Sequence, residues 1–255
     1  MIPIHPKVQS INNRTNHKGW IMTQTWEHLL FAHWAVPPAL IRPLVPHSLE
    51  IDTYEGVGWI SIIPFRMTGV RLRCLPPIPY TTSFPEINVR TYVKASGKSG
   101  IYFLSLDASN PLITTIAKRW YRLPYYQASM DFRLNREGVT IQSKRAGSQA
   151  QAKQFSAVYG PDSDVFQAKG GTLENWLTER YTLFCECMRT KRLHGANVYH
   201  EPWRLQKAVL QIEQNSLSHQ HISLTDPPEL ALYARGVQSI VWPIQQIKAE
   251  RGATW

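Results

Sequence analysis

The sequence predicts a mainly β (α+β) protein with short helices, and three observations carry that reading. Segments of alternating apolar and polar residues succeed one another across tight turns, as antiparallel hairpins require. Helix signals are confined to brief stretches, with none of the strand–helix–strand alternation that builds a parallel sheet. Prolines at 202, 227, 228 and 243 break the last third of the chain into short extended segments.

Residues 1–19, ending in NNRTNHKG, carry few apolar groups and read as an arm. Alternation and aromatic bulk predict a strand over 20–34, stopped by the prolines of VPP at 36–38. A helix over 38–44 is expected, because proline suits a first turn and Pro46 prevents extension. Strands over 49–52 and 57–65 flank Tyr54, Glu55 and Gly56, and 68–82 reads as a loop whose LPPIPY forms a flap or rim. Residues 84–94 and 101–107 form the clearest hairpin, around the turn SGKSG at 96–100. Asn110 caps a helix that runs from Pro111 to about Arg122, where Leu123 and Pro124 end it. Strands over 126–134, 139–146 and 153–159 follow, then a helix over 173–178 capped by Thr172, then extended segments over 180–247. At this length one domain is expected, over residues 20–248, with a tail at 249–255.

A content of 43% apolar and 18% charged residues is that of a folded protein. No apolar run reaches the roughly 20 residues that span a bilayer, and Met1 to Trp20 lacks a signal-peptide apolar centre, so a cytoplasmic protein without membrane contact is expected. The net charge is +10, and residues 66–155 hold fourteen Lys or Arg against four Asp or Glu. Such a field attracts anions. Without a lysine-rich tail, zinc-finger spacing or RNA-recognition aromatic motif, the expected partner is an anionic small molecule rather than nucleic acid, with a solvated basic surface as the plainer alternative. No glycine-rich phosphate loop, G-x-S-x-G elbow or H-E-x-x-H occurs. Cys185 and Cys187 have no second pair at zinc spacing, and His194, His200, His219 and His221 read as a surface cluster, so neither metal nor cofactor is expected.

The stretch SFPEINVRTYV is the most informative. Successive side chains of a strand point to opposite faces, so Glu86, Asn88, Arg90 and Tyr92 share one face and Ile87, Val89, Thr91 and Val93 the other. The polar row is either an ordinary solvated face or one wall of a ligand cavity. As a wall it combines a carboxyl acid or base, a two-way amide, a guanidinium fork suited to a carboxylate, and a phenol. In that reading Glu86 and Arg90 are the candidate catalytic pair, and Asn88 and Tyr92 orient the ligand. His33 is either hydrogen-bonded core or a pocket acid or base. Asp107, before a helix, is either a turn former or a pocket group. Lys118, Arg119 and Arg122 complement a helix dipole or attract an anion, and Arg180 with Tyr181 stands in the same position after the second helix.

The blocks LLFAHWAVPPALIRPLVPHSLEID, WISIIPFRMTGVR, FPEINVRTYV, GIYFLSLDA, LPYY, LTERY and HEPWRLQ, spread over about Trp26 to Gln206, resemble the YqjF-like family of uncharacterised bacterial proteins. That family is similar to the acetoacetate-decarboxylase-like superfamily. The resemblance implies a cone-shaped, largely antiparallel β-barrel with a buried pocket, and it leaves room for a homo-oligomer. Acetoacetate decarboxylases form a Schiff base through one of two adjacent lysines that follow a proline. Here Tyr125 and Tyr126 follow Pro124 in the analogous place, so both enter as ligand-binding candidates and the lysine chemistry is not implied. The expectation is a protein that binds a small anionic or oxygenated organic ligand, either as a lysine-independent acid–base enzyme or as a non-catalytic binder or sensor.

Overall fold

Two closed circuits of strands share a common wall in the computed structural model, which describes residues 19–76, 83–112, 114–115, 123–136, 138–146, 153–187, 190–218 and 222–247. The strands are β1 (Met22–Val36), β2 (Glu50–Ile51), β3 (Gly58–Leu72), β4 (Ser83–Ala95), β5 (Lys98–Ala108), β6 (Tyr125–Leu134) and β7 (Val139–Arg145). They continue with β8 (Gln154–Pro161), β9 (Thr182–Glu186), β10 (Leu193–His200), β11 (Leu205–Asn215), β12 (Leu230–Val241) and β13 (Gln245–Gln246). The helices named by these residues are α1 (Pro38–Ile41), continued by a 3-10 turn at Arg42–Leu44, and α2 (Leu173–Thr178).

The wall runs β12-β1-β3-β4-β5, antiparallel throughout. It closes in two ways because its edge strands change partner along their length. Ile101 and Tyr102 of β5 pair in parallel with β9, whereas Leu106–Ala108 pair in parallel with β6. On β12, Leu232–Ala234 pair with β11 and Ser239–Val241 with β10. One route, through β6, β7, β8 and β11, closes a nine-strand mixed barrel. The other, through β9 and β10, closes a smaller circuit of seven.

A wall with structure on both sides must be apolar on both faces. Leu30, Ile62, Ile87 and Val89 enter one core cluster with Ile141 of β7 and Phe155 of β8. Leu29, Phe31, Ile63, Phe65 and Tyr92 enter the other, with Leu183 of β9 and Ala196 of β10. β4 therefore has no solvated face.

The hairpin of β4 and β5, the strands β6 to β8 and helix α2 lie where the alternation predicts them. Thr172 caps α2 by accepting from the Asn175 amide at 3.4 Å. The expected loop over 68–82 is corrected at its start, where β3 continues to Leu72, and 77–82, with most of LPPIPY, lies outside the described residues. Gly69, at φ 60°, sits at a register shift between β1 and β3 that absorbs an extra residue, so pairing resumes beyond it. The first strand likewise runs to Val36, with His28 at φ 53° marking a second shift. That bulge switches the alternation, so that Met22, Gln24 and Trp26 before it face the same side as Leu29 and Phe31 after it. Asn110 accepts from the Leu112 and Thr114 amides as a helix cap, while 116–122, with the expected Arg119 and its neighbours, lies outside the described residues.

Candidate functional site

A cavity of about 180 Å³ fills the seven-strand circuit, and all seven strands contribute to its lining. Its polar content is sparse, and β4 supplies three of the polar side chains. Glu86, Asn88 and Arg90 point into it at successive inward positions, between apolar surfaces from β1, β3 and β5. Trp203 donates through its indole N–H to the Thr178 carbonyl at 3.1 Å, stacks on Trp26 at 6.0 Å and meets Phe31 edge-on at 5.0 Å. These rings form an aromatic sleeve around the polar row.

Glu86 is 3% exposed, and the Tyr125 hydroxyl donates to its Oε2 at 3.1 Å. No cation among the described residues comes within ion-pair distance of it. A buried carboxylate without a counter-charge is costly, so the proton stays. Burial raises the Glu86 pKa to about 8, the nearby Asp107 adds to the rise, and the Tyr125 hydrogen bond opposes it. Glu86 is a protonated acid at neutral pH.

Arg90 is in the complementary situation. One Nη2–H donates to the Leu177 carbonyl at 3.1 Å, and Nε is buried without a partner. The guanidinium lies over the Tyr92 ring at 5.6 Å and the Phe31 ring at 5.9 Å. No carboxylate among the described residues pairs with it. The amide oxygen of Asn88, between the two, is also buried without a partner. Buried polar atoms are normally satisfied, so this row, on a strand that lines the cavity, holds a donor and an acceptor left unused.

The remaining sequence candidates fall into three groups. Arg180 reaches the cavity, but its charge is engaged: Nη1 donates to Asp52 Oδ2 at 2.6 Å, Nε donates to the Trp176 carbonyl at 2.6 Å, and Lys94 completes the cluster at 2.8 Å from Asp52. His33 and Tyr92 lie behind the cavity wall in a fully buried triad, with Ser61 Oγ at 2.6 Å from His33 Nδ1 and 2.7 Å from the Tyr92 hydroxyl. Burial, reinforced by Arg90, pushes the His33 pKa well down, so its ring is neutral. Asp107 and Tyr126 form a third group with Arg145, which pairs with the carboxylate at 2.6 Å and lies 3.8 Å from the Tyr126 ring centre. Asp107 reaches Glu86 through its field. Of the tyrosine pair, Tyr125 lines the cavity and Tyr126 is 40% exposed.

His200 corrects the surface reading at its own position, while His194 is half-buried and His219 and His221 lie outside the described residues. His200 is 2% exposed, lines the cavity, and packs between Tyr181 at 4.8 Å and Trp203 at 4.7 Å. Its Nδ1–H donates to the Glu201 carbonyl at 2.9 Å, which leaves Nε2 as the acceptor of the neutral ring. Burial lowers its pKa, so it is a neutral base lining the same cavity as the protonated Glu86. The aromatic residues around it, in HEPW, are the one local signal of burial. Among the described residues no group of three or more His, Cys, Asp or Glu is placed to hold a metal, and no lysine lines the cavity. No helix among them is long and apolar enough to cross a membrane.

Comparison with known proteins bears on the whole of this architecture. The profile of DUF2071, described as an uncharacterized conserved protein, matches residues 23–238. The uncharacterized protein YqjF of Bacillus subtilis (strain 168) is 42% identical over 228 residues, covering 89% of this chain and 93% of its own. An acetoacetate decarboxylase-like enzyme from Sphingomonas wittichii RW1 superposes with a TM-score of 0.59 at 12% identity, over 89% of this chain and 93% of that one. Acetoacetate decarboxylase from Legionella pneumophila gives 0.58 at 10% identity, over 90% and 88%. The enduracididine biosynthesis enzyme MppR, complexed with pyruvate, gives 0.57 at 11% identity, over 97% and 96%. The fold is acetoacetate decarboxylase-like.

Proposed function

The chain belongs to the DUF2071 family of uncharacterized conserved proteins, and from that premise we propose that it binds a small organic anion within the seven-strand circuit. Arg90 is the observation that carries the reading. It is a buried guanidinium lining a cavity, with one hydrogen bond among the described residues, to a carbonyl, which leaves N–H donors that a carboxylate satisfies by two parallel bonds. Asn88 orients the bound molecule, and the sleeve of Trp26, Phe31 and Trp203 covers its apolar body.

If the bound molecule is turned over, acid–base chemistry is the class that fits. Glu86 stands ready to donate a proton and His200 Nε2 to accept one, in a largely apolar compartment. Enolisation, hydration, or a decarboxylation assisted by hydrogen bonds falls in that class. A tyrosine at 125 cannot condense with a ketone, so an iminium route has no amine among the described cavity residues. That same observation favours a second reading, in which the compartment binds or senses its ligand without chemistry.

A thermal-shift screen of small organic acids, weighted toward keto acids and aromatic acids, tests the binding reading. A ligand at a hundred times its Kd adds about 2.7 kcal/mol to stability. The Arg90→Met variant is expected to lose at least tenfold in affinity for every acid that stabilises the wild type. Stabilisation that survives the substitution places the anion elsewhere. With a turned-over acid in hand, Glu86→Gln abolishes turnover while binding falls only modestly; unchanged turnover rules Glu86 out as the acid.

A further inference from the structure

We infer that the compartment selects a monocarboxylic acid built on a single ring, with an uncharged hydrogen-bond acceptor such as a carbonyl at the end remote from the acid. This rests on the binding reading above and specifies its ligand. Size comes first. A dry apolar cavity of about 150 Å³ accepts benzene, so about 180 Å³ holds one ring with small substituents. The sides of the compartment suit such a body, since Trp26, Phe31, Phe65, Met67 and Trp203 face it.

The two ends differ in charge. Glu86 and Arg90 share the inward face of β4 four residues apart, about 13 Å between Cα atoms at ordinary strand rise, so a ligand touching both lies along the strand past Asn88. At the Arg90 end stands a cation that no carboxylate among the described residues neutralises. At the Glu86 end the surroundings are apolar, from Phe84, Leu106 and Leu123, and the titratable groups that act on it among the described residues are Tyr125, which donates to Oε2, and Asp107, whose own charge is taken by Arg145. A carboxyl so placed keeps its proton and offers an O–H to whatever fills that end. It therefore suits a neutral acceptor. A second carboxylate there would lose its hydration beside Glu86 and Asp107 with no unpaired cation among the described residues to meet it.

The test is isothermal titration of the purified protein at pH 7 with benzoate, 4-acetylbenzoate and terephthalate. The expected order is 4-acetylbenzoate tightest, benzoate about tenfold weaker for want of the acceptor, and terephthalate at least a hundredfold weaker than 4-acetylbenzoate. Glu86→Gln, which keeps an N–H donor, is expected to retain the preference for 4-acetylbenzoate, and Glu86→Met to erase it. Terephthalate binding as tightly as 4-acetylbenzoate, or a preference that survives Glu86→Met, overturns the assignment. If Glu86→Met does not fold, the order of the three acids on the wild type decides alone. Failure of all three acids to bind also overturns it, while stabilisation by other small acids that depends on Arg90 still upholds the broader binding reading; loss of both removes that reading as well.

Discussion

Glu86 and Arg90 stand on one face of one strand and meet opposite electrostatic conditions, a proton retained at one and a charge left unpaired at the other. Their common face was legible because a strand alternates with period two. Period alone does not say how deep a row goes. Tyr92 shares the face and yet lies beyond the cavity, bonded to Ser61. Asp107 and Tyr126 engage Arg145 instead, a partner 38 residues away from Asp107 that no local pattern announces. The folded pKa of Glu86, about 8 against an ordinary 4.5, has a measurable consequence. Between those values the folded protein holds a proton that the unfolded chain releases, so this residue's contribution to stability falls as pH rises through the window and levels off above it. Glu86→Gln has no proton to lose. In urea unfolding at pH 5 and pH 8.5 the variant is expected to gain on the wild type by a few kcal/mol at the higher pH. A constant gap would mean that the carboxyl is ionised in the fold throughout.

At the scale of elements, the wall strands were recognisable, but their two-sided burial was not. An apolar row opposite a polar row reads equally as a half-solvated strand, and only the closure through β9 and β10 turns the polar row inward. The bulges at His28 and Gly69 were also out of reach, since a shift by one residue leaves the apolar pattern intact on either side. Closure of the smaller circuit depends on a close approach. A Cβ on Gly100 would stand 2.4 Å from the Thr182 carbonyl oxygen and 2.7 Å from the Phe184 ring, so β5 and β9 meet there only because position 100 has no side chain. Gly100→Ala is expected to destabilise by about 1–3 kcal/mol, as overpacking does, and to weaken ligand binding by parting the seam beside Ile101. An unchanged urea midpoint would show that the seam tolerates the added carbon.

For the whole molecule, five strands belong to both circuits, so neither circuit keeps its wall if the other unfolds. Thermal unfolding is expected as a single transition that coincides by far-ultraviolet circular dichroism and tryptophan fluorescence; separated midpoints would show that the circuits melt independently. The basic excess of residues 66–155 includes Arg90, and a positive field of that kind favours the arrival of an anion before any contact is made. The proposed seat of an organic anion is Arg90, within the seven-strand circuit. A crystal structure of the protein soaked with the acid that stabilises it most tests this directly. A carboxylate about 2.8 Å from the Arg90 guanidinium is expected, with its apolar body inside the sleeve of Trp26, Phe31 and Trp203. An acid bound on the outer surface, or a compartment left without it at saturating concentration, would rule that seat out.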